Sequence, residues 1–177
     1  MIITAGIYKG HKIVVPDEKI VRPTLSKARE GIFSTLFSLI DFNGKIFLDV
    51  FAGSGIMGLE ALSRGFKSAL ALEKNPKVAR ILKENYKKIG LEPNLITGDS
   101  LKLLPKINKK FDVIYLDPPY LSGIYEESLK KIKENSLLKD GGIAILEHVT
   151  DINWEDFGFK LIKQKNYSGK FVTFISI

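Results

Sequence analysis

The tetrapeptide Asp117-Pro118-Pro119-Tyr120 carries the most specific chemistry in this sequence. Two consecutive prolines continue neither a central strand nor an α-helix, so the backbone after Asp117 is held extended and donates no N–H groups there. Acceptors and one aromatic ring remain. Such a set suits an exocyclic amino group on a nucleobase: the Asp117 carboxylate and the Pro118 carbonyl accept its two hydrogens while Tyr120 stacks on the ring. Taken alone, the four residues also fit a rigid loop with a surface tyrosine.

Three further acids stand in comparable positions. Residues 45–61, KIFLDVFAGSGIMGLEA, run from an apolar segment into Asp49 and then through Gly53, Gly55 and Gly58 into helical spacing. The pattern Gly53-x-Gly55-x-x-Gly58 satisfies the fingerprint in which N–H groups at a helix N-terminus hold a dinucleotide pyrophosphate. Asp49 opposes that reading, because a carboxylate beside the loop repels a pyrophosphate and attracts a cation. S-adenosylmethionine, with a sulfonium, an ammonium and no phosphate, suits both features. A nicotinamide or flavin nucleotide, or a glycine-rich turn beside an incidental acid, are the competing readings. A second apolar run, 69–72, ends in Glu73, where the second strand of a βαβ unit presents an acid to a ribose diol. A third, 95–97, runs into Asp99.

The elements that must position these acids follow from periodicity. Leu25, Ala28, Ile32, Phe33, Leu36 and Ile40 recur at three- and four-residue spacing and predict an amphipathic helix, with Thr24 or Ser26 as its cap. Arg22, Lys27 and Arg29 cluster at its start, where the helix dipole disfavours cations; they mark a ligand or else a solvated face. The helix after the glycine turn ends at Gly65, and Asn75-Pro76 caps and opens another that reaches Gly90. A fourth strand, 111–116, leads into Asp117, a lysine-rich helix spans 124–135, and Gly141-Gly142 introduces a fifth strand over 143–149. Glu147 and His148, near its end, are ambiguous, with His148 assigned no role, and Trp154 lies in a connection without a motif. The alternation of FKLIKQK and FVTFISI about Tyr167-Ser168-Gly169 predicts a terminal antiparallel hairpin. Residues 1–15, with Gly6, Lys9, Gly10 and Lys12, predict a short hairpin arm with a basic tip. The expected division is an arm over 1–24 and a main domain over 25–177. The expected class is α/β, a doubly wound, mostly parallel sheet with an antiparallel edge, and Asp49, Glu73, Asp99 and Asp117 all fall at strand carboxyl ends, where such sheets bind ligands.

Composition narrows the classes. At 177 residues the chain fits one domain with a full core, and no apolar run approaches the roughly 20 residues of a membrane span. The start, MIITAGIYKG, lacks a signal-peptide pattern. Cysteine is absent, which removes disulfides, thiolate metal sites and a cysteine nucleophile and fits a cytoplasmic protein. Only His11 and His148 are present, so a histidine-based zinc site or triad has little material; no metal is expected. The net charge of +7 favours a polyanionic partner, although scattered lysines also make an ordinary solvated surface.

Nearly end to end, the chain resembles the bacterial 16S ribosomal RNA guanine-N2 methyltransferases, class I S-adenosylmethionine-dependent enzymes of Rossmann-like, seven-stranded fold. The resemblance rests on AGIYKGHKI, RPT with the following Arg29-Glu30 and Phe33, LDVFAGSGIMGLEALSRG, LEKN, Asp99, FDVIYLDPPY and NYSGKFVTF. It implies methylation of a guanine amino group in 16S ribosomal RNA, free or within an assembled small subunit. By the same resemblance, Arg22, Thr24, Asp49, Phe51, Gly53, Ser54, Gly55, Glu73, Lys74, Asn75, Asp99, Ser100 and Asp117 would surround the cofactor. Asp117, Pro118, Pro119 and Tyr120 would hold the target base, and Lys9, Lys12, Arg22 and Arg29 would meet RNA. One departure is Ile2-Ile3, where family members usually carry an arginine. A DNA adenine amino methyltransferase shares the glycine loop and DPPY, but this chain has no spare length for a sequence-reading segment. A non-catalytic RNA-binding assembly protein of the same fold is the alternative from another class.

Overall fold

A computed structural model describes residues 1–16, 26–119 and 123–177. Seven strands form one sheet: β1 (Ile46–Asp49), β2 (Ser68–Glu73), β3 (Asn94–Thr97), β4 (Phe111–Leu116), β5 (Leu138–His148), β6 (Lys160–Tyr167) and β7 (Lys170–Ser176). Their order is β3-β2-β1-β4-β5-β7-β6. The first five pair in parallel, and β7 pairs antiparallel to both β5 and β6. The chain steps outward from β1 through β2 to β3 and then returns to lay β4 on the other flank of β1. That reversal opens the crevice in which open α/β sheets take ligands.

Alternation along the parallel strands sends side chains to two cores. Phe47, Ala69, Ala71, Val113, Tyr115, Ile145 and Phe174 point to one face, while Leu48, Val50, Leu70, Leu72, Ile114, Leu116 and Leu146 point to the other. Helices α1 (Ser26–Leu39), α2 (Ile56–Ser63) and α3 (Pro76–Lys88) bring Ile32, Phe33, Leu36, Met57, Leu59, Leu82 and Tyr86 to the first face. Against the second lies α5 (Ile124–Glu134), through Tyr125, Leu129 and Ile132, together with Leu104 just after the short α4 (Ser100–Leu103). Both faces are covered, as a sheet with central parallel strands requires.

Two expectations shift. The fifth strand starts at Leu138 rather than Ile143: Leu138 pairs with Phe111, the register breaks, and Ile143 then pairs with Val113. Gly141, at φ +71°, lies inside that irregular stretch rather than before the strand. Over residues 1–16 the arm is a hairpin, bridged at Ile2 and Lys12, with Ile3 N–H donating to the His11 carbonyl at 3.1 Å, while its expected continuation to 24 lies outside the described residues. It is also part of the first core, because Ile3 and Ile13 are buried there.

Packing of the arm runs through a polar knot. Glu60 on α2 accepts from Thr4 N–H at 2.8 Å, Thr4 Oγ1 at 2.9 Å and Arg29 Nε at 3.4 Å, and it also pairs with Arg64. Arg29 Nη2 donates onward to the Ile2 carbonyl at 2.9 Å. Gly6, at φ +84°, crosses so close to α2 that a Cβ there would sit 1.8 Å from the Ser63 carbonyl oxygen.

His148 is a structural residue. A carbonyl only accepts, so Nδ1 carries the proton it gives to the Thr150 carbonyl at 2.6 Å, and Nε2 takes a hydrogen bond from Thr173 Oγ1 at 2.7 Å. Burial holds its pKa below the usual histidine value.

Candidate active site

The ladder sets the heights of the acids. Asp49 lies level with Ala71 on β2 and Tyr115 on β4, so Glu73 and Asp117, each two residues further along, rise on either side of it. With Asp99 beyond β3 and Glu147 on β5, five carboxylates edge the carboxyl end of the sheet in a chain of net charge +7. A cationic ligand is favoured there.

Asp49 is the deepest of them. It is 1% exposed, and its Oδ1 has no hydrogen-bond partner among the described residues. Burial, and then the nearby Asp117 charge, raise its pKa well above the usual carboxylate range. An orphaned buried carboxylate oxygen is costly, and a positively charged group seated beside it would offset that cost.

The loop between β1 and α2 is clamped rather than slack. Gly53 N–H donates to Glu73 Oε2 at 2.9 Å and Asn75 N–H to Oε1 at 2.7 Å, so Glu73 ties the loop to the end of β2. Burial raises the Glu73 pKa, against the lowering effect of these donors. Gly55 stands at φ +81° immediately before α2, a conformation that favours glycine. Its Cβ would meet Leu82, and one on Gly58 would lie 2.3 Å from the Tyr86 hydroxyl. The missing side chains of these two glycines therefore admit α3 against α2. Ser54 is buried and its carbonyl accepts from Asn85 Nδ2 at 2.9 Å, while Phe51 is half-buried.

Beyond β2, Asn75 caps α3 by accepting from Lys77 N–H at 2.9 Å, and Lys74 is exposed and pairs with Asp99 at 3.0 Å. That lysine, with the Leu101 N–H that Asp99 caps, holds the Asp99 carboxyl below the usual range. Ser100 turns inward and donates to the Val50 carbonyl at 2.6 Å, tying α4 to the residue after Asp49.

Asp117 follows β4, with Pro118 buried and Pro119 exposed behind it. Lys170 Nζ, at the start of β7, lies 3.0 Å from Asp117 Oδ1 and 2.6 Å from Glu147 Oε2. Glu147 is wholly buried and also accepts from the Tyr115 hydroxyl.

The sequence-predicted cofactor residues within the described chain thus gather at one end of the sheet. Arg22, Thr24 and Tyr120 lie outside the described residues. Lys9 and Lys12 are exposed on the arm, as a phosphate contact needs. Arg29 is a correction: it is 0% exposed and spends its guanidinium on Glu60 and the arm, so it presents no charge to RNA. Its place in the first turn of α1 answers the paired acid of α2, not a ligand.

Sequence reasoning missed Lys170, Glu147, Glu60 and Asn85. Asn85 left a trace, a polar residue three past Leu82 on an apolar face. It bonds both Ser54 and Val14, linking the end of the arm to the loop. For Lys170 and Glu147 the pairing crosses the sheet and leaves no local pattern.

The family described as Conserved hypothetical protein 95 matches residues 1–176. The Haemophilus influenzae protein named Ribosomal RNA small subunit methyltransferase D is 33% identical over 174 residues, covering 92% of this chain and 86% of that one. Its Escherichia coli K12 namesake is 31% identical over 146 residues, covering 82% and 73%. A hypothetical protein of solved structure from Thermus thermophilus superposes with a TM-score of 0.85 at 27% identity, covering 100% of this chain and 99% of that one.

Proposed function

The chain belongs to the family described as Conserved hypothetical protein 95, and from that premise we propose that it transfers a methyl group from S-adenosylmethionine to the exocyclic amino group of a guanine in small-subunit ribosomal RNA. Two relatives named for small-subunit ribosomal RNA methylation, each more than 30% identical, support the substrate class. The observation that carries the chemistry is Asp117, held at the head of Pro118-Pro119 beside the switch point of the sheet.

The cofactor, when bound, supplies an electrophilic methyl group on a sulfonium. Asp49, with an Oδ1 that has no partner among the described residues, and the Glu73-clamped loop fit the cationic and ribose parts; Asp99 is assigned to the adenine amino group from the sequence. Arg22 and Thr24 are assigned to the same site from sequence alone. Asp117 and the Pro118 carbonyl accept the two hydrogens of the guanine amino group and turn its lone pair, otherwise delocalised into the ring, toward the methyl carbon. The nitrogen would take the methyl group from bound S-adenosylmethionine, and the amino proton would leave through Asp117 or to water. Tyr120 stacks on the base. Positioning of this kind can supply up to roughly 7–11 kcal/mol of a barrier. The reaction is assigned to the cytoplasm, with Lys9 and Lys12 on RNA phosphates.

Tritiated-methyl transfer to ribosomal RNA, free and in small subunits, with nucleoside analysis of the product, tests this reading. N2-methylguanosine is the expected product; labelled methyladenosine, or no label, would overturn it.

A further inference from the structure

Lys170 is the one described cation that bridges two acids at the carboxyl end of the sheet. Its side chain is 22% exposed, against 19% for Asp117 and 0% for Glu147. A flexible, strongly hydrated ammonium gives up most of its water at such a place only when fixed partners replace it. Both partners here are held: the Glu147 carboxylate by the Tyr115 hydroxyl, and the backbone of Asp117 by the prolines that follow it. The lysine itself begins β7, in register with Tyr167 across the hairpin. Tyr167 in turn rests so closely on α1 that a Cβ on Gly31 would fall 1.9 Å from its hydroxyl. The hairpin therefore cannot slide without disturbing α1.

We propose that Lys170 is a positioning residue for methyl transfer, whose ammonium bridges buried Glu147 to Asp117 and fixes the Asp117 carboxylate in the orientation that receives the acceptor amine. This rests on the reading of Asp117 as the residue that holds the target amino group. A carboxylate on a loop can rotate about two bonds, and a misplacement of about 1 Å can cost on the order of a hundredfold in rate. Anchoring one oxygen, Oδ1, to a cation that is itself anchored to the core removes that freedom.

The carboxylates that face this ammonium are those of Asp117 and Glu147, and these two acids belong to a wider cluster. Asp49 ends β1, Tyr115 and Asp117 belong to β4 and its loop, Glu147 lies on β5, and Tyr167 closes β6; Glu73, at the end of β2, adds its charge beside Asp49. His148, the next residue on β5, turns to the opposite face and stays neutral against Thr150 and Thr173. Burial works against the charged lysine, but Asp117 and Glu147 outweigh it and raise its pKa, so the ammonium form persists. The lysine therefore does not take up the amino proton; it holds in place Asp117, the group assigned to receive it.

Three variants test this at saturating cofactor in single turnovers across pH. Lys170→Met should lose about a hundredfold in rate at neutral pH, and the acid limb of its profile should move up by about 1–3 pH units as the opposite charge is removed. Lys170→Arg should retain most of the rate. Lys170→Met combined with Glu147→Gln removes the buried charge that the lysine neutralises and keeps an acceptor for Tyr115, so it also serves where the single variant does not fold. The double variant should stay slow, with its limb displaced upward but less than in the single variant, because the like charge of Glu147 is gone as well. Recovery of the parental rate by the double variant, or an unmoved limb, would mean that Lys170 only neutralises Glu147. Should the parental protein transfer no methyl group to ribosomal RNA, the substrate reading fails by itself. The carbon-13 titration of the Asp117 carboxyl, with no substrate present, then decides: titration at higher pH in the double variant than in the parent supports the bridge, and identical curves overturn it.

Discussion

Arg29 Nε lies 3.4 Å from Glu60 Oε1, and neither side chain reaches solvent. The pair joins α1 to α2, and through Thr4 and Ile2 it fastens the N-terminal arm to both. Removing one member of a buried pair strands the other charge, at a cost of about 3–5 kcal/mol. Glu60→Ala should therefore lower the unfolding free energy by that amount in urea titrations. Trypsin should also cut the arm at Lys9 or Lys12 faster than in the parent. An arm that remained as resistant as the parental one would show that the apolar contacts of Ile3 and Ile13 suffice to hold it.

Asp49 sets stability against binding. Its pKa is raised by burial, so above the usual aspartate value of about 3.9 the unfolded chain has released a proton that the native chain retains. Native stability contributed at this site consequently falls as pH rises, until the native pKa is passed. Asp49→Asn should remove that loss, with no gain below about pH 4 and a gain of about 1–3 kcal/mol once the parental carboxyl is ionised. The same change should weaken S-adenosylmethionine binding by tenfold or more, since each tenfold corresponds to about 1.4 kcal/mol. Thermal melts across pH and calorimetry measure the two arms.

Glu73 is expected to hold the ribose hydroxyls while it clamps Gly53 and Asn75. Hydrogen bonds to a charged group contribute about 1.5–3 kcal/mol, so Glu73→Ala should weaken cofactor binding by roughly ten- to a hundredfold. Calorimetry on the folded variant checks this, and unchanged affinity would remove the assignment.

Asp117→Ala should abolish most methyl transfer and leave cofactor affinity nearly intact, because its proposed partner is the acceptor amine. Asp117→Asn separates two roles. It keeps a carbonyl acceptor and loses the charge, so residual activity in single turnovers would mean that orienting the lone pair matters more than taking the proton.

Lys9 and Lys12 lie exposed on a rigidly docked arm. A variant with alanine at both should bind ribosomal RNA with a log–log salt slope shallower by roughly 0.7–0.9 per contact removed. An unaltered slope would take the arm out of the RNA interface.

Much of this protein was legible in its sequence because the determining interactions are local. Apolar alternation and three-to-four spacing marked the strands and helices, Asn75-Pro76 marked a helix start, and the acid at the end of each apolar run marked the carboxyl end of the sheet. Tertiary structure decided what depends on distant partners. Arg29 reads as a surface cation until Glu60, 31 residues away, is laid beside it in a dry interface. Gly58 reads as room for a ligand until α3 brings the Tyr86 hydroxyl against it. Lys170 meets Asp117 across 53 residues, because β7 enters the sheet beside β5 rather than following it. Burial and charge pairing are properties of neighbours in space, and periodicity along a chain does not encode which neighbours those will be.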